Sequence, residues 1–288
     1  MDTRERDAPP FARIGIAGTG LIGGSIALAV KAAWPGVHVS GTLSRQGTLP
    51  DGMADRVVRD VEQLGDCDLI VLGVPVPVMP ELMERIARHG TRAVVTDVGS
   101  TKRGVMRAAE AAGLTTFIGG HPMAGGERPG AGEARPDLFA GKPWLLVPGS
   151  AGTADEQRLT RFVEALGGVP AWMGADSHDR TVAYVSHLPQ ILAAALMNAA
   201  EAAVGEHGPH AAGRAFAEMT RLASSPPDMW RDICAENADF VGEALRTFLQ
   251  VLPDAAQQPP GHWVHDALSR SGDARRRWRA ARGLDDPS

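Results

Sequence analysis

Residues Gly18-Thr19-Gly20-Leu21-Ile22-Gly23 form a G-x-G-x-x-G turn directly after Ala12 to Ala17, which reads as a short buried strand. It opens onto Ser25 to Ala33, a stretch rich in Ala, Leu and Val. Strand, glycine turn and helix in that order constrain the fold more than any other feature of the chain, because they define the first βαβ unit of a doubly wound parallel sheet. The first glycine permits the tight turn, the second lets backbone N–H groups approach a pyrophosphate, and the third lets helix pack on strand. The helix N-terminus then faces the negative charge. The turn predicts a dinucleotide held by Gly18, Gly20, Leu21, Ile22 and Gly23, with Val74 and Pro75 beside it at the end of a later strand.

The alternation continues. Val37 to Gly41, Leu69 to Val74, Ala93 to Asp97, Thr116 to Ile118 and Trp144 to Pro148 read as strands, and Pro77 to Arg88, Thr101 to Ala112 and Ala154 to Leu166 as helices. This predicts an α/β class with a parallel sheet covered on both faces. From about Ser177 the helical period takes over, with helices expected over 177–206, 209–222, 227–250 and 262–282, punctuated by Gly208-Pro209, Pro226-Pro227 and Pro259-Pro260-Gly261. At 288 residues two domains are expected: a Rossmann-type domain over 1–173 and an all-helical substrate and dimerisation domain over 174–288. The run Ile191 to Ala203 is apolar almost throughout, so its helix needs cover on most sides and predicts a homodimer built on this domain.

Composition narrows the partners. A net charge of -5 leaves no basic footprint for nucleic acid, and no run is long and apolar enough for a membrane span. The opening stretch Met1 to Pro10 is charged, which gives no sign of a signal peptide, so the chain is expected in the cytoplasm. Cys67 and Cys234 are its two cysteines; neither sits in a CxxC pair, and neither a disulfide nor a metal site is expected. The Arg-rich tail from Arg270 to Arg282 reads as a solvated helix end. An NAD site usually carries an acidic residue about twenty positions beyond the glycine turn, to bond the ribose 2′-OH. Here that place holds Gly41-Thr42-Leu43-Ser44-Arg45. Ser44 and Arg45 suit a 2′-phosphate, so NADP is expected in preference to NAD.

Three further segments stand where such a sheet puts chemistry: Gly73 to Pro77, Asp97 to Lys102, and Gly119 to Glu127. GLIGGS, DVGSTK, GGHPMAG, SHLP and TRLASS in this order resemble the prephenate/arogenate dehydrogenase family of tyrosine biosynthesis, over about Arg13 to Leu252. The resemblance implies oxidative decarboxylation of a cyclohexadienyl acid. A nicotinamide accepts hydride from the carbon bearing the 4-hydroxyl, the ring loses CO2, and the product is aromatic. It implies a small-molecule substrate, prephenate, arogenate or both. It places the catalytic histidine at His121, where a neutral imidazole can accept the 4-hydroxyl proton. Ser100 can bond that imidazole or the substrate hydroxyl, or cap the helix opening at Thr101. The resemblance also puts substrate binding at Arg221, whose guanidinium can pair with a carboxylate, and at His187, with Lys102 and Glu127 shaping the pocket. Trp230 and Asn237 are expected to be structural. The chain departs from the family in carrying Ala217, Glu218 and Met219 where a basic residue and an Asp often stand, which leaves substrate preference open. A 2-hydroxy acid or imine reductase of the same fold, and a cofactor-binding sensor without turnover, are the competing readings.

Overall fold

The computed structural model describes residues 8–42, 49–126, 128, 130–252 and 260–283. Eight strands form one sheet: β1 (Arg13–Ala17), β2 (His38–Thr42), β3 (Arg56–Val58), β4 (Leu69–Leu72), β5 (Val94–Asp97), β6 (Phe117–Pro122), β7 (Pro143–Val147) and β8 (Val169–Trp172). Their order is β3-β2-β1-β4-β5-β6-β7-β8. Leu69-Ile70-Val71-Leu72 shows why an unbroken apolar run suits a central strand. Leu69 and Val71 enter the core on one face, Ile70 and Leu72 that on the other, and helices cover both faces. The core beneath α1 (Leu21–Ala33) and α4 (Thr153–Ala165) holds Ile14, Ile16, Ile26 and Phe162; the opposite one, beneath α2 (Met79–His89) and α3 (Arg103–Ala111), holds Ile70, Met83, Ile86 and Val105.

Pairing is parallel from β3 through β6, but β7 runs antiparallel to β6 and β8 parallel to β7. The all-parallel expectation fails at β7. Among the described residues no long helix crosses the sheet between β6 and β7, where the chain makes a short turn at Ala131–Glu133, and a chain that does not cross a face returns alongside its predecessor. Partnered by β7 from Gly119↔Val147 to Pro122↔Trp144, β6 also runs four residues beyond the expected Ile118. His121 therefore stands inside a strand rather than in a loop. The sequence reading did not anticipate β3 or β8. Both are edge strands, three residues long in one case and carrying Pro170 in the other, and edges tolerate both features.

After β8 come α5 (Ala175–Val182), α6 (Leu188–Val204), α7 (Gly208–Ala211), α8 (Arg214–Thr220), α9 (Pro227–Glu236), α10 (Ala238–Val251) and α11 (Pro260–Ala281). The chain divides into two compact units, Met1–Ala238 and Asp239–Ser288. The expected helix over 177–206 is interrupted by a π segment, Ala183–His187, in which the Leu188 N–H reaches the Ala183 carbonyl, an i→i+5 bond. Pro189 accounts for it: without an N–H it cannot serve the Val185 carbonyl four residues back, and the helix widens by one residue there. The expected helix over 227–250 breaks at Asn237, whose side chain is engaged elsewhere.

Candidate active site

Strand order reverses across β1, which lies between β2 and β4. The C-terminal ends of β1 and β4 thus flank the crevice where ligands bind in such sheets. Gly18 sits there at φ 98°, and a Cβ on it would lie 2.6 Å from the Gly73 carbonyl oxygen. A Cβ on Gly23 would lie 2.1 Å from the Gly18 oxygen, so this helix–strand contact admits no side chain. Gly20 differs: nothing stands within 4 Å of a Cβ placed on it. As N-cap of α1 it leaves the first turn, Leu21 and Ile22 included, with neither a side-chain cap nor an acidic residue. An open glycine and uncapped helix N–H groups fit a pyrophosphate. The Thr42 hydroxyl accepts the Gly18 N–H at 2.8 Å and its carbonyl accepts the Thr19 hydroxyl at 2.7 Å, tying the turn to the end of β2. Val74 and Pro75 follow β4 beside the turn; Val74 Cγ1 lies 2.9 Å from the Gly18 Cβ position. Ser44, Arg45 and Glu127 lie outside the described residues.

His121 ends up one strand beyond β5, on a backbone pressed against it. The Gly120 N–H donates to Asp97 Oδ1 at 3.0 Å, and a Cβ on Gly120 would lie 2.4 Å from the Asp97 carbonyl oxygen. The other Asp97 oxygen accepts the Gly99 N–H at 2.8 Å and takes the ammonium of Lys102. Lys102 and Asp97 are both fully buried, so the ammonium is spent on this carboxylate. Burial lowers the pKa of Lys102, opposed by the attraction of Asp97. The His121 pKa is pushed well below 6.5, first by burial and then by the repulsion of His178, Lys102 and His187. Its imidazole is neutral, as a proton acceptor must be.

The partner of that imidazole is not Ser100. His121 Nδ1 lies 3.0 Å from His178 Nε2, and His178 Nδ1 lies 2.8 Å from Asp179 Oδ1. Among the described residues Ser100 makes no hydrogen bond to His121, and α3 opens at Arg103 rather than at Thr101. Its N-terminal N–H groups are satisfied from a distance. Asp179 accepts the Lys102 N–H at 2.7 Å and the Arg103 N–H at 2.9 Å, as well as Arg103 Nε at 3.2 Å. Burial works to raise the pKa of Asp179. The His178 hydrogen bond and the Arg103 and Lys102 N–H groups overcome it and hold the carboxyl below its ordinary value.

Asn237 closes this network from α9's end. Its Nδ2 donates to the Asp179 carbonyl at 2.7 Å, and its Oδ1 accepts Arg103 Nη2 at 3.1 Å. These two partners fix which way the amide faces. Nδ2 also lies 3.3 Å from His187 Nδ1, which must then accept, so the proton of neutral His187 is on Nε2. That atom is buried without a partner among the described residues, and burial first of all lowers the His187 pKa to about 4. Trp230 packs edge-on against the His187 ring, centroids 5.9 Å apart. Arg221 begins the short turn Arg221–Ser224 and is exposed. Gln190, three residues beyond His187, ties that turn to α6 by donating to the Leu222 carbonyl at 2.6 Å and accepting the Ser225 hydroxyl at 3.3 Å.

His178 and Asp179 were missed in the sequence, and Asp97 and Gln190 stood in or beside its motifs without being given a role. The signal for Asp179 was present: Asp179, Val182 and Ala183 share one buried helical stripe, and a carboxylate on such a stripe needs partners. Among the described residues no group of side chains could hold a metal ion, and no helix is long and apolar enough to cross a membrane.

Residues 26–172 match the family description "Prephenate dehydrogenase, nucleotide-binding domain", and residues 174–258 match "Prephenate dehydrogenase, dimerization domain". The prephenate dehydrogenase of Bacillus subtilis is 33% identical over 244 residues, 78% of this chain and 64% of its own length. The chain thus spans just under two thirds of that relative. The cyclohexadienyl dehydrogenase of Zymomonas mobilis is 30% identical over 281 residues, 92% of this chain and 95% of its own. A solved structure of prephenate dehydrogenase from A. aeolicus, in complex with hydroxyphenyl propionate and NAD+, superposes with a TM-score of 0.80 at 26% identity, covering 91% of this chain and 98% of the other.

Proposed function

Because the chain belongs to the prephenate dehydrogenase family, we propose that it catalyses the oxidative decarboxylation of prephenate to 4-hydroxyphenylpyruvate and CO2 with reduction of a nicotinamide dinucleotide. The observation that carries this reading is His121, a buried, neutral imidazole in the strand next to Asp97 at the C-terminal edge of the sheet. The bound nicotinamide supplies the hydride acceptor. His121 takes the 4-hydroxyl proton as the C4 hydride departs and returns it to the phenol oxygen as CO2 leaves, so the protein gains no net proton. His187 offers a buried Nε2–H that a substrate oxygen would satisfy, and Arg221 pairs with a substrate carboxylate. Lys102 acts through charge alone, holding Asp97 and keeping His121 unprotonated. Ser100 and Glu127 are assigned to the pocket by the family motifs in which they stand. A dual action on prephenate and arogenate is the second reading, favoured by the near-complete coverage of the cyclohexadienyl dehydrogenase relative.

NADP is the preferred cofactor in this proposal, since Gly41 to Arg45 contains no carboxylate and Thr42 is occupied by the glycine turn. Formation of reduced cofactor, followed by absorbance with each substrate against NAD and NADP, tests both points. Turnover of prephenate with NADP is expected. Silence in all four pairings defeats the function, and an Arg45→Ala variant that raises KM equally for both cofactors defeats the NADP preference.

The functional unit in this proposal is a homodimer formed through residues 174–258. In the single chain Leu196 and Met197 of α6 are exposed, as are Val185 and Met219, and an apolar helix face of this kind calls for cover. Sedimentation should return twice the chain mass at micromolar concentration. A monomer there would overturn the assembly.

A further inference from the structure

Three buried groups from distant parts of the chain line up: His121 in β6, and His178 and Asp179 in α5. We infer that Asp179 and His178 are positioning residues which lock His121 in the tautomer whose Nε2 is bare, and so set the direction in which it accepts a proton. This inference rests on the role given to His121 above.

The direction follows from what each atom can offer. The Asp179 carboxylate takes the backbone N–H groups of Lys102 and Arg103 and the guanidinium of Arg103; ionised, it has no proton to give. His178 Nδ1, at 2.8 Å, must therefore be the donor. A neutral imidazole carries one proton, and His178 stays neutral because burial, its largest influence, lowers its pKa. Its Nε2 is then an acceptor, and His121 Nδ1, 3.0 Å away, must donate to it. The single proton of neutral His121 is thereby on Nδ1, leaving the Nε2 lone pair for the substrate hydroxyl. Reversing any link would set donor against donor or lone pair against lone pair in a buried place, at the full cost of an unsatisfied polar group.

The same row serves the reaction. When the substrate proton moves to His121 Nε2, the ring becomes an imidazolium whose Nδ1–H still bonds His178. The positive charge then faces the Asp179 carboxylate through one neutral ring, with no atom required to move. When the phenol oxygen recovers the proton from Nε2, the row returns to its starting state. His187, in contact with Asn237, is held in the opposite tautomer. The two histidines thus present one acceptor and one donor.

Two measurements test the lock. Long-range proton–nitrogen correlation on protein labelled with 15N-histidine, with His121 assigned by its loss in His121→Asn, should show a protonated Nδ1 and a bare Nε2. A proton on Nε2 overturns the inference whatever the enzyme turns over, whereas absence of turnover with the tautomer as expected defeats the functional reading and leaves the lock standing. For kinetics, His178 is the cleaner site, since the Asp179 bonds to α3 survive its replacement. His178→Leu removes the acceptor and should lower kcat on the order of 10–100-fold, with KM within a few-fold. His178→Gln, whose Oε1 can accept the His121 Nδ1–H, should restore most of that loss. A His178→Leu enzyme as fast as the parent, or a His178→Gln enzyme no better than His178→Leu, overturns the inference.

Discussion

His121→Asn is expected to lower kcat by about 10²–10⁴-fold while KM stays within a few-fold, the pattern of a group used in the transition state and little in binding. Asparagine can still offer a polar atom to His178 but has nothing at the position of Nε2, so the 4-hydroxyl proton loses its acceptor as hydride leaves. The pH profile supplies an independent reading. A base works while unprotonated, so kcat/KM falls only as pH drops through the His121 pKa. Burial, followed by the repulsion of His178, Lys102 and His187, pushes that pKa well below 6.5. The parent enzyme should therefore hold its rate as pH falls past 6.5 and lose it only at clearly more acidic values. In His121→Asn that acidic limb should vanish along with the rate. A limb centred at or above 6.5 would show that the base is not this buried imidazole, and an undiminished kcat would remove His121 from the chemistry.

How far the sequence foretold this arrangement depends on whether the cause was local. The glycine turn was legible in full, because Gly18 and Gly23 answer to sterics within a few residues. The central strands were legible because their apolar runs are a local pattern. β8 was not: Val169-Pro-Ala-Trp172 has a weak strand composition and owes its ladder to β7. His121 was legible as the histidine of a family motif, but its place inside β6 was set by pairing with a strand more than twenty residues on. The hidden layer of the site was least legible. His178 and Asp179 follow no spacing rule with His121, from which they are separated by 57 residues in the case of His178. Asn237 reads in sequence as a residue of an unbroken helix, and only its bonds to Asp179 and Arg103 show why the helix stops there. Lys102 fared differently again. Its motif suggested a pocket residue, whereas its ammonium is enclosed with Asp97.

That enclosure makes Lys102→Met the substitution with the largest expected effect on stability. Methionine fills much of the same volume but leaves Asp97 charged and buried, with the Gly99 and Gly120 N–H groups as its remaining partners. Breaking a buried ion pair from one side costs about 3–5 kcal/mol, since the surviving charge keeps its desolvation penalty and loses its counter-ion. In a compact unit of this size that corresponds to a fall in Tm on the order of 10 °C. Adding Asp97→Asn removes the stranded charge and should recover part of the loss, whereas Asp97→Asn alone would strand the ammonium instead. The same variant reports on the chemistry. Lys102 holds the His121 pKa down, so without it that pKa rises and the acidic limb of kcat/KM moves to higher pH. A lysine that touched substrate would behave otherwise, leaving Tm near the parent value and raising KM. Measured together, melting temperature and pH profile decide between a charge enclosed beneath the site and one that faces the substrate.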